Sequence, residues 1–301
     1  MEPHRFDGRV AVITGAGRGI GRAHARLLAE RGASVVVNDI GGSMGGEGTD
    51  EGPATAVVDE IVAAGGAAIA DASDISTPEG GEALIAAAIE RFGRVDIVVN
   101  NAGIMRWAGF PEADADNLER HLAVHVGGSF HTTRAAWPHL VEQDYGRVVM
   151  TTSTGMLGLP ENVSYATAKA GVIGMARSLS TAGAAHGIKV NLIAPAAATR
   201  MAGQAEESPE MASDLVSPMV AFLAHEDCPV SGEVYVAGGG RFTRLFIATT
   251  EGYVHDSGSP TVEDVADHWA AINDEAGYTV PADLMDWTGT FLAHLLPPST
   301  T

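Results

Sequence analysis

Cysteine is almost absent: Cys228 is the only one in 301 residues. A single thiol excludes an internal disulfide framework and fits a reducing compartment. Cationic side chains are scarce as well. Lysine and arginine total 18 against 38 acidic residues, a formal net charge of -20, which argues against nucleic acid or an anionic membrane as partner. No uninterrupted apolar run is long enough to span a bilayer, and the opening Met-Glu-Pro-His-Arg-Phe-Asp lacks the order of a secretion signal. Asn162-Val163-Ser164 matches a glycosylation acceptor, but no such signal accompanies it. The expectation is a soluble cytoplasmic protein. No internal repeat is visible.

Apolar residues, by contrast, make up 46% of the chain, enough for one large α/β domain with a substantial core. Short β-branched runs predict strands at 10–14, 34–39, 67–71, 95–99, 146–152, 188–193 and 233–237. Helical patterns fall between them, at 22–31, 54–64, 79–92, 117–142, 163–186 and, mainly, 208–225. Strands alternating with helices predict a doubly wound, Rossmann-type parallel sheet covered on both faces, over residues 1–240. The alternation then stops. Residues 241–301 read as a C-terminal extension, a strand at 241–248 and helices at 261–276 and 281–295, too small to hold a good core of its own. A glycine-rich, acidic loop at 41–52 is longer than most strand-to-helix connections. It is either a rim near a cofactor, which we favour, or a partner contact.

Gly15-x-x-x-Gly19-Ile20-Gly21 follows the first strand and opens the first helix. In that context glycines let the backbone approach a pyrophosphate, whose charge sits at a helix N-terminus. Asp39 ends the second strand, where a carboxylate can bind the adenine-ribose hydroxyls and repel a 2′-phosphate. Arg18, inside the turn, pulls the other way. The carboxylate lies closer, so NAD is expected over NADP. Asp74 and Ile75 follow the third strand and are placed to bracket the adenine. Asn101-Ala102-Gly103 ends the fourth and holds the chain near the cofactor, although such residues also make ordinary turns.

Tyr165 and Lys169 stand four apart on a predicted helix, hence on one face. A phenol with an ordinary pKa near 10 exchanges protons poorly at neutral pH, and an ammonium beside it favours the phenolate. A dinucleotide turn upstream and a tuned phenol downstream together point to hydride transfer coupled to proton transfer.

With these three motifs in order, residues 6–240 resemble the short-chain dehydrogenase/reductase family. Val-Val-Val-Asn-Asp-Ile-Gly-Gly at 35–42, His-Leu-Ala-Val-His-Val-Gly-Gly-Ser-Phe at 121–130, Thr-Arg-Ala-Ala-Trp at 133–137 and Ala-Pro-Ala-Ala-Ala-Thr-Arg-Met at 194–201 are similar to one branch. That branch is the (3R)-hydroxyacyl-CoA dehydrogenase domain of peroxisomal multifunctional enzymes and its free-standing bacterial relatives. The resemblance implies an NAD(P)-dependent oxidoreductase interconverting an alcohol and a ketone, a homodimer or homotetramer, with no metal. It implies Tyr165 as general base or acid, Lys169 as the residue that holds the nicotinamide ribose and lowers the Tyr165 pKa, and a hydroxyl that fixes the substrate oxygen. Aligning the strand favours Ser153 for that hydroxyl; counting back from Tyr165 lands on Thr152. His125 stands where most of the family has asparagine, kinking the long helix so that a backbone carbonyl serves the proton relay. It can do so without titrating, or add a proton-exchange group near pH 6.5. Although His121 and His125 have metal-ligand spacing, no third ligand accompanies them.

Pro195, before Ala196 where the family has glycine, and Thr199 are the expected contacts of the nicotinamide carboxamide region. Met105, Trp107, Met156, Leu157, Leu159 and Met201 lie on loops beyond strand ends and as a group suggest an apolar substrate pocket. A 3-hydroxyacyl thioester is the leading substrate, a steroid or other bulky cyclic alcohol the alternative. CoA would want cations near the mouth, where only Arg106 and Arg200 stand. A non-catalytic NAD-binding regulatory protein is the distant alternative, and nothing needed for chemistry is missing.

Overall fold

A computed structural model of the chain describes residues 3–197, 208–256 and 258–295. Eight strands form one sheet, β1 Val10–Thr14, β2 Ser34–Asn38, β3 Ala67–Asp71, β4 Ile97–Asn100, β5 Gly146–Thr151, β6 Ile188–Pro195, β7 Val234–Gly238 and β8 Arg241–Leu245. Their order is β3-β2-β1-β4-β5-β6-β7-β8, and β1 to β7 pair in parallel. The chain thus reverses direction across the sheet between β1 and β4, and ligands of such sheets bind outside the strand C-termini at that point. Register aligns those ends: Thr14 pairs with Asn38 and Asn38 with Asp71, while Asn100 pairs with Met150. Every residue of β1, β4 and β5 is buried, and their apolar residues run together rather than alternating with polar ones.

Helices α1 Gly19–Glu30, α2 Gly52–Ala63, α3 Pro78–Phe92, α5 Gly128–Glu142, α6 Val163–Gly183 and α7 Ser217–Ala224 accompany the sheet. The buried face of α1 is mostly small, with Gly21, Ala23, Ala25 and Ala29 around Leu28 and His24. Helix α3 shows how local signals set both ends. The Thr77 hydroxyl accepts the Gly80 amide, Pro78 enters the first turn, and Gly93 closes the helix in the left-handed region.

Several sequence boundaries move. The helix expected over 117–142 begins as α4 Ala115–His121, passes through a π-helical segment Leu122–Gly127, and resumes as α5. Within 208–225 only α7 is α-helical; two 3₁₀ turns, Pro209–Met211 and Ser213–Leu215, precede it, and Pro218 favours a helix start there over continuation. Strand β8 stops at Leu245 rather than 248. It follows β7 through Gly239 and Gly240, both at positive φ, a two-residue turn that only an antiparallel return allows.

The chain divides into compact units of residues 1–244 and 245–301, so the boundary falls after 244 rather than 240. Glycine chemistry at 238–240 made a hairpin, not a domain end. In the second unit the helix expected at 261–276 splits into α8 Val262–Asp267 and α9 Trp269–Ile272. His268 leaves helical angles there, its ring stacked 3.7 Å from Tyr253. Helix α10 Leu284–Phe291 lies within the span expected at 281–295. None of the described residues of this unit is buried.

Candidate active site

Main chain builds the β1–β2 end of the crevice. Glycine is required at Gly15, which has φ +62° and whose Cβ would lie 2.7 Å from the Ala102 Cα. Asn101 ties β4 to this turn: its side-chain amide donates to the Thr14 and Gly15 carbonyls at 3.0 Å each. The Thr14 hydroxyl accepts the amides of Asn101 and Ala102 at 3.1 and 3.0 Å. Helix α1 has neither a side-chain cap nor an acidic residue in its first turn. Its leading N–H groups are therefore available to an anion.

The Asp39 carboxylate is fixed by two amides, from Gly17 at 2.9 Å and from Gly41 at 2.7 Å. Arg18 turns away from it, donating to the Gly42 carbonyl at 3.2 Å and pairing with Asp50 at 3.9 Å. A cavity of about 490 Å³ opens here, lined by Gly15, Arg18, Gly19, Ile20, Gly21, Asp39, Asp74, Ile75, Asn101, Ala102 and Gly103. Eleven of the expected cofactor contacts thus share one cavity. Gly42, Ser43, Met44 and Gly46 of the long glycine loop also line it. A Cβ at Gly41 would run into the Asp50 backbone, and the Met44 carbonyl accepts the Met105 amide at 2.9 Å. The loop is closed at its base and anchored at its tip.

Buried side chains build the β5–α6 end. Asn162 caps α6, its carbonyl oxygen accepting the Tyr165 amide at 3.1 Å. Tyr165 and Lys169 are both buried and share a face, with the Lys169 Nζ 5.7 Å from the Tyr165 ring centroid. Lys169 donates to the Thr151 carbonyl at 2.8 Å, and the Thr152 hydroxyl donates to the Lys169 carbonyl at 2.7 Å. Thr152 is thereby committed to the α6 backbone. Ser153, half-buried, instead lies with the Tyr165 ring against Gly155, whose amide it accepts at 3.0 Å. Of the two candidate hydroxyls, the geometry aims only Ser153 at Tyr165.

The titration pattern corrects one expectation. Burial pushes the Tyr165 phenol above its usual value, the Ser153 hydrogen bond pulls it partly back, and Lys169 contributes nothing resolved. Burial also brings Lys169 itself down to about 7. His125 lies in the π segment and is held well below its usual range by burial first and then by Lys169, so it is neutral and adds no exchange group near pH 6.5. Its Nε2 meets the Ile104 carbonyl at 3.0 Å, and its own carbonyl accepts the Ser129 hydroxyl at 2.7 Å. His121 stacks on His125 at 5.8 Å, and both rings stand edge-on to Tyr165. With His121 Nδ1 on the Asn117 carbonyl and Nε2 accepting the Arg106 amide, that ring has no lone pair left for a metal. Elsewhere His4, His225 and Asp227 converge, but both His225 nitrogens are likewise engaged, by the Arg5 carbonyl and the Asp227 amide.

The proposed substrate residues differ in burial. Met105 is buried, its sulfur 3.0 Å from the Asn162 amide; Met156 and Leu159 are half-buried; Trp107 and Leu157 are exposed. Pro195 ends β6, half-buried and apart from the cofactor cavity. Thr199, Arg200 and Met201 lie outside the described residues. Sequence reasoning missed Asn162 as a cap, although asparagine three residues before Tyr165 is the cap spacing. It also missed Arg120 and Ser213 as cavity-lining residues, for which no local signal exists. As for the acceptor motif, Asn162 is fully buried and hydrogen-bonded, which rules out its glycosylation in this fold.

Residues 9–210 match the short chain dehydrogenase family model. A short-chain type dehydrogenase/reductase of Mycobacterium tuberculosis is 43% identical over 273 residues, covering 89% of this chain and 95% of that protein. The peroxisomal multifunctional enzyme type 2 of Drosophila melanogaster is 40% identical over 97% of this chain, which spans 49% of the enzyme's length. A 7α-hydroxysteroid dehydrogenase, solved with NADH and 7-oxo glycochenodeoxycholic acid, superposes with a TM-score of 0.70 at 31% identity, covering 78% of this chain and 95% of its own. The chain belongs to the short-chain dehydrogenase/reductase family and is an oxidoreductase that uses a nicotinamide cofactor.

Proposed function

We propose that this short-chain dehydrogenase interconverts a secondary alcohol and a ketone with NAD as cofactor. The observation that carries the reading is the buried Tyr165 with Ser153 beside it and Lys169 on the same helix face. The glycine turn, Asp39, Asn101 and Lys169 would hold the nicotinamide dinucleotide, which supplies the hydride acceptor. Ser153 orients the substrate oxygen. Tyr165 keeps its proton at neutral pH, the state from which it acts as the acid in ketone reduction. To serve as the base in oxidation it needs positive charge beside it, from Lys169 and from an oxidised nicotinamide.

The preference for NAD rests on Asp39, whose carboxylate is fixed at the cavity rim, and on Arg18, which is turned to Gly42 and Asp50. A 2′-phosphate there would face a carboxylate and no converging guanidinium. A 3-hydroxyacyl thioester is the leading substrate, on the likeness to the peroxisomal multifunctional enzymes. A bulky cyclic alcohol is the second reading, favoured by the steroid dehydrogenase likeness and by the pairing of Arg106 with Asp116 at 2.7 Å, which leaves that cation committed. We further propose a homodimer or homotetramer in a reducing, cytoplasmic setting, on the family likeness and the lone buried cysteine. No described helix is long and apolar enough to cross a membrane.

Nicotinamide absorbance with 3-hydroxybutyryl-CoA and a panel of cyclic alcohols, using NAD⁺ and NADP⁺ in parallel, tests this directly. Faster turnover with NAD⁺ is expected, and Tyr165→Phe should lower kcat by about 10³, within the usual range for removing a general acid–base. A Tyr165→Phe enzyme as fast as wild type would refute the mechanism.

A further inference from the structure

Side chains from other elements reach the main chain of Ile104 and Arg106, while the Met105 amide between them goes to the Met44 carbonyl. His125 Nε2 lies 3.0 Å from the Ile104 carbonyl and 3.3 Å from its amide, and as a donor it serves the carbonyl. The Arg106 amide donates to His121 Nε2 at 3.3 Å. Its carbonyl accepts from the amides of Asn117 at 3.0 Å and Asn162 at 3.3 Å. Among the described residues, Asn162 alone bonds both this segment and the Tyr165 backbone. It is fully buried, and its main chain bridges to Ala108.

One planar amide therefore joins two walls of the site. Asparagine suits the position because it offers an acceptor, for the Tyr165 N–H, and two donors, for the Arg106 carbonyl and the Met105 sulfur. Serine and aspartate cap helices about as well, but an ionised aspartate has no donor, and serine has one O–H on a shorter side chain in place of two amide N–H groups. Reaction rates are sensitive to such distances: a misplacement of about 1 Å can cost about 10²-fold.

We propose that Asn162 is a positioning residue, locking segment 104–106 to the first turn of α6 so that the substrate-side wall and the Tyr165 hydroxyl keep one separation. The proposal rests on the reading of Tyr165 as the proton-transfer group. It assigns the amide's donors, rather than the cap, as the part that matters to turnover.

The test compares the full-length wild type with Asn162→Ser and Asn162→Asp, both of which keep a cap acceptor. With NAD⁺ and whichever of 3-hydroxybutyryl-CoA or cyclohexanol the wild type oxidises, the variants should show KM for the alcohol raised at least about fivefold, what losing one buried hydrogen bond does. KM for NAD⁺ should stay near wild type in both, and the melting temperature near wild type in Asn162→Ser, whereas Asn162→Asp, which buries a carboxylate, should melt lower. A merely structural role would lower apparent kcat with the folded fraction and leave both KM values alone, and that result overturns the proposal. Amide exchange gives a readout free of substrate: exchange at Arg106 should speed up in both variants while Val172, deep in α6, stays protected. Unchanged exchange at Arg106 also overturns it. Tyr165→Phe separates the two failures. If that variant is as active as wild type, the reading beneath the proposal is wrong; if it is inactive and Asn162→Ser is normal, only the positioning role falls.

Discussion

At the β1–β2 side of the crevice the working surface is main chain: glycines, the exposed N-terminus of α1, and an aspartate held by two amides. At the β5–α6 side it is buried side chain: Tyr165, Lys169, His121, His125 and Asn162, each oriented by a hydrogen bond or ring contact to another element. The first surface tolerates no added volume; the second tolerates no lost partner. A phosphate needs only close approach and aligned dipoles, which backbone provides. A proton needs a group whose pKa is set by its surroundings, which only burial and neighbours provide.

The sharpest way to break this contrast is at Gly15. Gly15→Ala puts a Cβ at 2.7 Å from the Ala102 Cα with φ positive, and strain of about 1–3 kcal/mol should fall on the turn. NADH affinity, followed by its fluorescence, should drop more than about tenfold, one decade being about 1.4 kcal/mol, while the Tyr165–Ser153 pair remains. If NADH binds normally, the cofactor edge is not where we place it.

A second comparison lies within β5 and the residues after it. Ser153→Ala should lower kcat/KM by about 10², the loss typical of one transition-state hydrogen bond, with little effect on melting. Thr152→Val should do the reverse, costing about 1 kcal/mol of stability for one lost buried hydrogen bond to a carbonyl that keeps its helical donor, and sparing catalysis. Exchanged outcomes would reassign the substrate hydroxyl to Thr152.

The smallest effect concerns pH. Lys169 titrates at about 7 in the fold against an ordinary 10.5, so between those values the unfolded chain binds more protons than the native one. Native stability therefore rises with pH across that window, and the full cost of burying the ammonium is felt below it. The melting temperature of cofactor-free wild type should climb from pH 7 towards about pH 10 more steeply than that of Lys169→Met. Equal slopes would mean Lys169 is better solvated than its burial indicates.

Much of the fold was legible because its signals are local. Periodicity located the strands of the parallel sheet, and Thr77, Pro78 and Gly93 bounded α3 by cap chemistry within a few residues. Where several elements compete for one segment, local reading fell short. The stretch 117–142 has a continuous helical pattern, yet His121 and His125 each turn Nε2 to residues 104–106, and the helix widens to a π segment at Leu122–Gly127. His268 broke a patterned helix in the second unit by stacking on Tyr253. Among the site residues, Asp39 and Tyr165 announced themselves through neighbouring motifs. Ser213 did not, since its place in the cavity wall depends on how α1 meets a turn far along the chain.

By itself the amino-acid order determined that a glycine turn follows a strand, that an acid ends the next, and that a phenol and an amine share a helix face. Each is a matter of spacing along one element, where geometry repeats every two or 3.6 residues. Only the folded chain decided that Ser153 rather than Thr152 faces Tyr165, that His125 stays neutral, and that Lys169 loses much of its affinity for a proton. Those outcomes depend on which atoms from distant segments surround a side chain and on how much water they displace, and no spacing along the chain encodes that.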